Sequence, residues 1–334
     1  MKIGKITADE LEEMVINKLK FRHQEVLVHA GIGEDSSVID CGDEVIAVSS
    51  DPITGAGENI GYIAVHVTCN DVAAAGARPI GLQVVLLMPE TSAKKDISRI
   101  MEEIHETAAE LEVEILGGHT EILSSIETPL IIVTGIGKAV KDKYITSGGA
   151  QTGDDIILTK SIGIEGTLIL ASDYADILRN RGVSESVIKD AKKLKNKLSV
   201  MKEGLLAAQN GATGLHDITE GGVYGALDEM TRAADKGFEL KQHKLNTFKE
   251  IKTICKALQI NPAGLLSSGS MLITASGNNS KKILKELEKA GIEAYKIGKI
   301  RAEGKYIIDE SGNKRKFNWD GVDELWKFMD SRSK

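Results

Sequence analysis

Apolar positions recur along this chain with two periods, one helical and one alternating. Leu11, Met14, Val15 and Leu19 fall at helical spacing behind Thr7-Ala8-Asp9-Glu10, where the Thr7 hydroxyl can cap a helix start and Glu10 can reach back to it. Ser37 to Asp40 and Glu44 to Ser49 flank the turn Cys41-Gly42-Asp43 and predict two strands. Asn59 to Gly76 predicts a helix with small residues where it would pack closely, and Leu82 to Met88 a strand stopped by Pro89. Ile97, Ile100, Ile104, Ala108 and Leu111 form the apolar stripe of the next helix; Glu114 to Leu116 and Leu130 to Ile136 predict further strands.

The glycine-rich stretch from Ser147 to Gly153 breaks this pattern. A domain boundary there gives an N-terminal domain over 1–150 and a C-terminal domain over 151–334. The second half restarts with a strand at Ile156 to Thr159, followed by helical stretches near 166–180, 184–198 and 200–210 and the loop TGLHDITEGG. A helix from about Val223, a strand at Met271 to Ala275, a helix near 279–290 and a strand near 293–297 complete it, with Trp319 and Trp326 as packing anchors in a charged tail. Strands and helices mix in both halves, so the fold class is α/β (α+β).

Composition narrows the function. At 334 residues the chain suits one large domain or two ordinary ones. An aromatic content of 4% argues against recognition of single strands by stacking, and a net charge of −7 offers no general attraction to nucleic acid or to an anionic membrane. Cys41, Cys69 and Cys255 are odd in number and form no CxxC pair, so no disulfide framework or zinc knuckle is expected. With no signal peptide and no apolar run of about 20 residues, a cytoplasmic location is expected. His66 and Cys69 have helical i, i+3 spacing, but two ligands do not make a zinc site, and Cys69 reads as a small buried hydrophobe. The basic run from Ile188 to Lys197 reads as the solvated face of an amphipathic helix.

Chemistry is concentrated where acids stand beside glycines: GIGEDSSVID, SSDPITGAG, CNDVAAAGARP, LGGHTEI and HDITEGG. Any one of these alone is an ordinary turn or cap. Together they suit a polyphosphate. Hard cations such as Mg²⁺ take carboxylate and phosphate oxygens, and glycines let backbone N–H groups approach phosphate. Asp35, Asp51 and Asp71 are the expected metal-binding acids. No Walker A motif or GxGxxG occurs.

The series GEDSSVID, SSDPITGA, NDVAAAGARP, GGHTEI, TGD followed by LTK, IEGT, HDITEGG and SSGS resembles the aminoimidazole ribonucleotide (AIR) synthetase superfamily. That superfamily includes hydrogenase maturation factor HypE, thiamine-monophosphate kinase and selenophosphate synthetase. The likeness spans roughly residues 30–275 and is greatest to HypE-like synthetase-related proteins. The resemblance implies a PurM-like two-domain fold, with N-terminal strands forming a shared barrel in a homodimer. It implies ATP and Mg²⁺ as cofactors, and transfer of the γ-phosphoryl group to a small-molecule acceptor. It places Asn70, Asp71, Gly117, Gly118 and Thr120 at the nucleotide, with Lys160 as a phosphate contact. Asp217 and Glu220 match the acidic loop facing the γ-phosphate, with His216 beside them as a proton shuttle or substrate contact.

There are three departures. His119 stands where many relatives carry Asp or Glu, and Glu121, two residues on and on the same face of an extended segment, is expected to take over as metal ligand. The sequence ends MDSRSK without the terminal cysteine of HypE, an expectation against carbamoyl dehydration, and no cysteine precedes Gly31 as it does in selenophosphate synthetase. The leading expectation is therefore an ATP- and Mg²⁺-dependent phosphoryl-transfer enzyme. The rivals are an ATP-binding maturation or scaffold protein acting through a partner, and a thiamine-monophosphate kinase-like activity. The last ranks lower because its usual SDG loop differs from HDITEGG.

Overall fold

The computed structural model describes residues 4–53 and 59–331, so positions 54–58 of the SSDPITGAG motif lie outside the described residues. Helix α1 (Ala8–Met14) begins with the expected capping box: Thr7 Oγ1 accepts from the Glu10 N–H at 3.3 Å, and Glu10 Oε2 accepts from the Thr7 N–H at 3.0 Å. The first half continues with β1 (Val26–Val28), β2 (Ser37–Cys41), β3 (Glu44–Ile53), α2 (Ile60–Ala74), β4 (Arg78–Pro89), α3 (Lys94–Glu110), β5 (Glu114–Leu123) and β6 (Leu130–Val140). Its strands form one six-stranded sheet in the order β1-β2-β3-β6-β4-β5, antiparallel except for the parallel β4–β5 pair.

This sheet is open, which corrects the expectation of a shared barrel. Among the described residues β1 pairs with β2 alone and β5 with β4 alone, so the two edges lie at opposite ends of the sheet and no strand joins them. The LGGHTEI segment, taken as a nucleotide loop, belongs to edge strand β5. Gly118 has a reason internal to the sheet. Its φ is +152°, and a Cβ there would stand 1.7 Å from the Val84 carbonyl oxygen of β4. Gly118→Ala is expected to pull β5 off β4 and cost about 4 kcal/mol or more, read as a lower thermal midpoint with early proteolysis of the edge.

The second half contains β7 (Asp155–Thr159), α4 (Ile164–Asp173), α5 (Ala175–Asn180), α6 (Glu185–Lys192), α7 (Met201–Gln209), β8 (Gly214–Asp217), α8 (Gly222–Ala233), β9 (Gly237–Lys241), α9 (Lys249–Leu258), β10 (Met271–Ala275), α10 (Gly277–Lys289), β11 (Ala294–Arg301), β12 (Lys305–Ile308), β13 (Lys314–Lys316) and α11 (Glu324–Asp330). Its seven strands run β13-β12-β9-β11-β7-β10-β8, with β12–β9 the parallel pair. Among the described residues no helix is long and apolar enough to cross a membrane.

Helix α2 joins the halves. Every residue of it except Tyr62 is buried, as expected of a helix that is apolar all round. Gly135 and Gly137 of β6 let it settle onto the sheet, since a Cβ at either would meet Thr68 or Val72. Its far side faces α7 and β8, and one apolar cluster runs from Ile63 and Leu86 to Leu170, Ile254 and Leu325. The C-terminal end of α2, carrying Asp71, is thereby carried into the seam between the two sheets.

Candidate active site between the two sheets

A cleft of about 720 Å³ opens along this seam. Asp35, Asp51, Asp71 and Asp217 line it, each from a different segment. Alternation along β3 puts Ser49 and Asp51 on the same face as buried Val45 and Ala47, the face that meets α2. Asp71 comes from the C-terminal part of α2, Asp35 from the loop before β2, and Asp217 from the end of β8.

The acids meet as a hydrogen-bonded set. Ser49 Oγ donates to Asp71 Oδ2 at 2.6 Å and reaches Asp51 Oδ2 at 3.4 Å, and the Asp71 backbone carbonyl accepts from Ser36 Oγ at 3.1 Å. Asp51 and Asp217 lie near enough for their charges to act on Asp71. Burial pushes the Asp71 carboxyl well above its ordinary range, and the charges of Asp51 and Asp217 push it further. Asp217 is raised likewise, by burial and then by Asp35, against a downward pull from His216. Among the described residues no three His, Cys, Asp or Glu side chains already stand in metal-ligating geometry. The donor set nonetheless fits Mg²⁺. It consists of hard carboxylate oxygens, and Asp35 Oδ2 and Asp217 Oδ2 are buried without a hydrogen-bond partner.

A buried relay backs the acids. His216 Nδ1 lies 2.7 Å from Asp35 Oδ1 and 3.0 Å from Ser147 Oγ, and Nε2 lies 3.2 Å from Glu229 Oε2. Burial alone would lower the imidazole, but Asp35 and Glu229 overcome it and hold His216 well above its ordinary value. Burial would raise Glu229, yet Lys5 and His216 bring it down to about 2. Lys5 Nζ meets Glu229 Oε1 at 2.7 Å, and the Lys5 N–H donates to Glu220 Oε1 at 2.7 Å. The segment between the two halves supports this wall through Glu34. The N–H groups of Ser147 and Gly148 donate to Glu34 at 3.3 and 3.2 Å and fix the 31–35 loop. Sequence reasoning missed Lys5, Ser147 and Glu229, whose partners in the relay lie 13 to 224 positions away.

Not every expected residue reaches the cleft. Asn70 is fully buried and spans the domains, accepting from the Val200 N–H at 2.7 Å and donating to the Leu198 carbonyl at 2.8 Å. Asn70→Ala strands both backbone groups and is expected to cost about 2–4 kcal/mol, measured by urea unfolding. Lys160 is held by Glu203 at 2.7 Å and donates to the carbonyls of Ser199 and Lys197 at 2.6 and 3.0 Å. Gly117, Gly118, Thr120 and Glu121 stand on exposed β5, outside the cleft lining. Glu121 pairs there with His119 at 3.3 Å, so the structure does not bring it to the aspartates. Glu220, His216 and Asp217 do line the cleft.

Comparison with known proteins fits this architecture. Residues 33–139 match the N-terminal domain model of AIR synthase related proteins, and residues 151–310 match the C-terminal one. A putative hydrogenase expression/formation protein of Methanocaldococcus jannaschii is 30% identical over 92% of this chain and 91% of its own. The chain belongs to the AIR synthase-related family. Within this family it falls on the HypE-like side. The carbamoyl dehydratase HypE of Azotobacter vinelandii is 28% identical, covering 82% of this chain and 80% of that protein. HypE in the HypE–HypF complex superposes with a TM-score of 0.74 at 19% identity, over 92% of this chain and 99% of that one. HypE in complex with ATP gives a TM-score of 0.70 at 21% identity, over 97% and 98%. At those identities the structures bear on the AIR synthase-related fold, which is the one described above.

Proposed function

We propose that this HypE-like protein is an ATP- and Mg²⁺-dependent enzyme that transfers the γ-phosphoryl group of ATP to a small acceptor. The observation that carries the reading is the convergence of Asp35, Asp51, Asp71 and Asp217 in one buried cleft. Asp35, Asp51 and Asp71 would hold Mg²⁺, with Asp217 facing the transferred group. When bound, the metal supplies neutralisation of the triphosphate charge, the main requirement of phosphoryl transfer besides positioning.

The chain's own residues do the positioning. Glu34, gripped by the N–H groups of Ser147 and Gly148, keeps the 31–35 loop in place, and His216 holds one oxygen of Asp35 and leaves Oδ2 free. Glu229 keeps His216 oriented from the other ring nitrogen. Glu220 lies at the same cleft, tethered by the Lys5 N–H. A protein partner is part of the proposal, because a solved neighbour is HypE in complex with HypF.

Calorimetry with a non-hydrolysable ATP analogue tests this. Saturable binding that disappears on chelation of Mg²⁺ is expected, together with ADP release from ATP once an acceptor is supplied. Binding that ignores the metal would overturn the reading. Mg²⁺-dependent binding without ADP release in the presence of co-purified partners would favour the scaffold role instead.

A further inference from the structure

The tail that carries Trp319 and Trp326 is built into the wall of the cleft. It lies past residue 310, where the match to the family's C-terminal domain ends. Helix α11 is anchored by fully buried Leu325, with Trp326, Phe328 and Met329 packed on the same apolar cluster. Asp323, just before the helix, is 1% exposed, and its carboxylate gathers three backbone N–H groups. Oδ1 accepts from Leu325 at 2.7 Å and caps α11. Oδ2 accepts from Gly221 at 2.6 Å, and Leu266, which lines the cleft, supplies the third N–H.

Gly221 directly follows Glu220 in the acidic loop HDITEGG, and the two tryptophans close on the same turn. Gly221 has a φ of +86°, and Trp319 packs against it so closely that a Cβ there would stand 2.7 Å from the ring. Trp326 lines the cleft, and its indole N–H acts as a hydrogen-bond donor on the Glu220 carboxyl, which the Lys5 N–H holds as well. Capping α11 takes only one oxygen, and asparagine or serine caps a helix as well as aspartate does. A carboxylate is costlier to bury than either, but it offers a second oxygen for a charge-assisted bond, and here that oxygen holds the turn behind Glu220. We propose that Asp323 is a positioning residue: by gripping Gly221 it fixes the aim of Glu220 in the cleft, with Trp326 holding the carboxyl itself. This rests on reading the cleft as the phosphoryl-transfer site.

Asp323→Asn separates the two tasks of this carboxylate. Asparagine still caps α11, but its amide nitrogen cannot accept from the Gly221 N–H. Nitrogen–proton NMR spectra of the full chain are expected to show the Gly221 amide and the Trp326 indole signals moved in the variant and the Leu325 amide near its place. In release of ADP from ATP and Mg²⁺ with water as the acceptor, kcat should fall about tenfold to a hundredfold while KM for ATP stays within about threefold. A merely structural role would not produce that split. Should Asp323→Asn fail to fold, Trp326→Phe carries the test, because it keeps a ring and removes only the N–H from Glu220; the same split is expected, smaller in size. Unmoved Gly221 and Trp326 signals, or a kcat equal to that of wild type, overturns the inference. If the wild type releases no ADP at all, the phosphoryl-transfer reading fails, and the NMR signals alone decide whether Asp323 sets the acidic loop.

Discussion

Asp71→Asn is expected to abolish Mg²⁺-dependent nucleotide binding and, at the same time, to stabilise the ligand-free protein. The two effects share one cause. Asp71 is 6% exposed and feels the charges of Asp51, Asp217 and Asp35, so its negative charge is buried among like charges. Asparagine keeps the shape and still accepts from Ser49 Oγ, but it removes a charge that the fold alone does not compensate. A gain of about 1–3 kcal/mol is expected in the absence of metal, with a loss of turnover of about a thousandfold. The pH dependence has a definite sign. The folded carboxyl holds its proton more tightly than the unfolded one, so this group contributes more stability as pH falls through its raised folded value toward the ordinary 3.8. Asp71→Asn removes that slope. Thermal melts across this range, with and without Mg²⁺ and nucleotide, check both signs at once. A destabilised Asn variant that still binds nucleotide through Mg²⁺ would contradict the account.

Glu229→Ala is expected to destabilise the protein by about 3 kcal/mol, because it takes one of two carboxylates from a buried imidazolium. His216 is 3% exposed and lies between Asp35 and Glu229; with Glu229 gone, Asp35 alone compensates it. Lys5 loses its partner as well, but half its side chain is exposed, so little of the cost arises there. This group titrates in the opposite sense to Asp71. Its folded value of about 2 lies below the ordinary 4.5, so its stabilisation is complete above 4.5 and is lost as pH falls from there to about 2. Urea unfolding at neutral pH and at about pH 3 should show wild type and variant far apart in the first condition and converging in the second. An unchanged midpoint at neutral pH would mean that the His216–Glu229 contact contributes nothing.

Local chemistry made much of this site legible. Asp35, Asp51 and Asp71, singled out as acids beside glycines, sit at a turn, on an alternating strand and on a small-residue helix, and the fold brings all three to one seam. The capping box at Thr7 and the strand at Met271–Ala275 are where local patterning places them. What local patterning does not carry is partnership across the chain. Lys5 finds Glu229 over 224 positions, and Asn70 finds Val200 over 130. Neither leaves a trace in spacing; Asn70, expected at the nucleotide, ties the two halves together through Leu198 and Val200. LGGHTEI, expected at the nucleotide, lies on edge strand β5, where Gly118 is required by the approach of Val84 within the sheet. The short strands Lys305–Ile308 and Lys314–Lys316 are too brief and too lysine-rich to show alternation, and only pairing with β9 and with each other makes them strands.

Crystals grown with a non-hydrolysable ATP analogue and Mn²⁺ in place of Mg²⁺, with data collected at the manganese edge, address the central claim most directly. Anomalous peaks among the carboxylates of Asp35, Asp51, Asp71 and Asp217, with the triphosphate on their open side, are the predicted result. Metal and phosphates bound elsewhere, for instance along Gly117–Thr120 of the edge strand with no metal among the four aspartates, would contradict it.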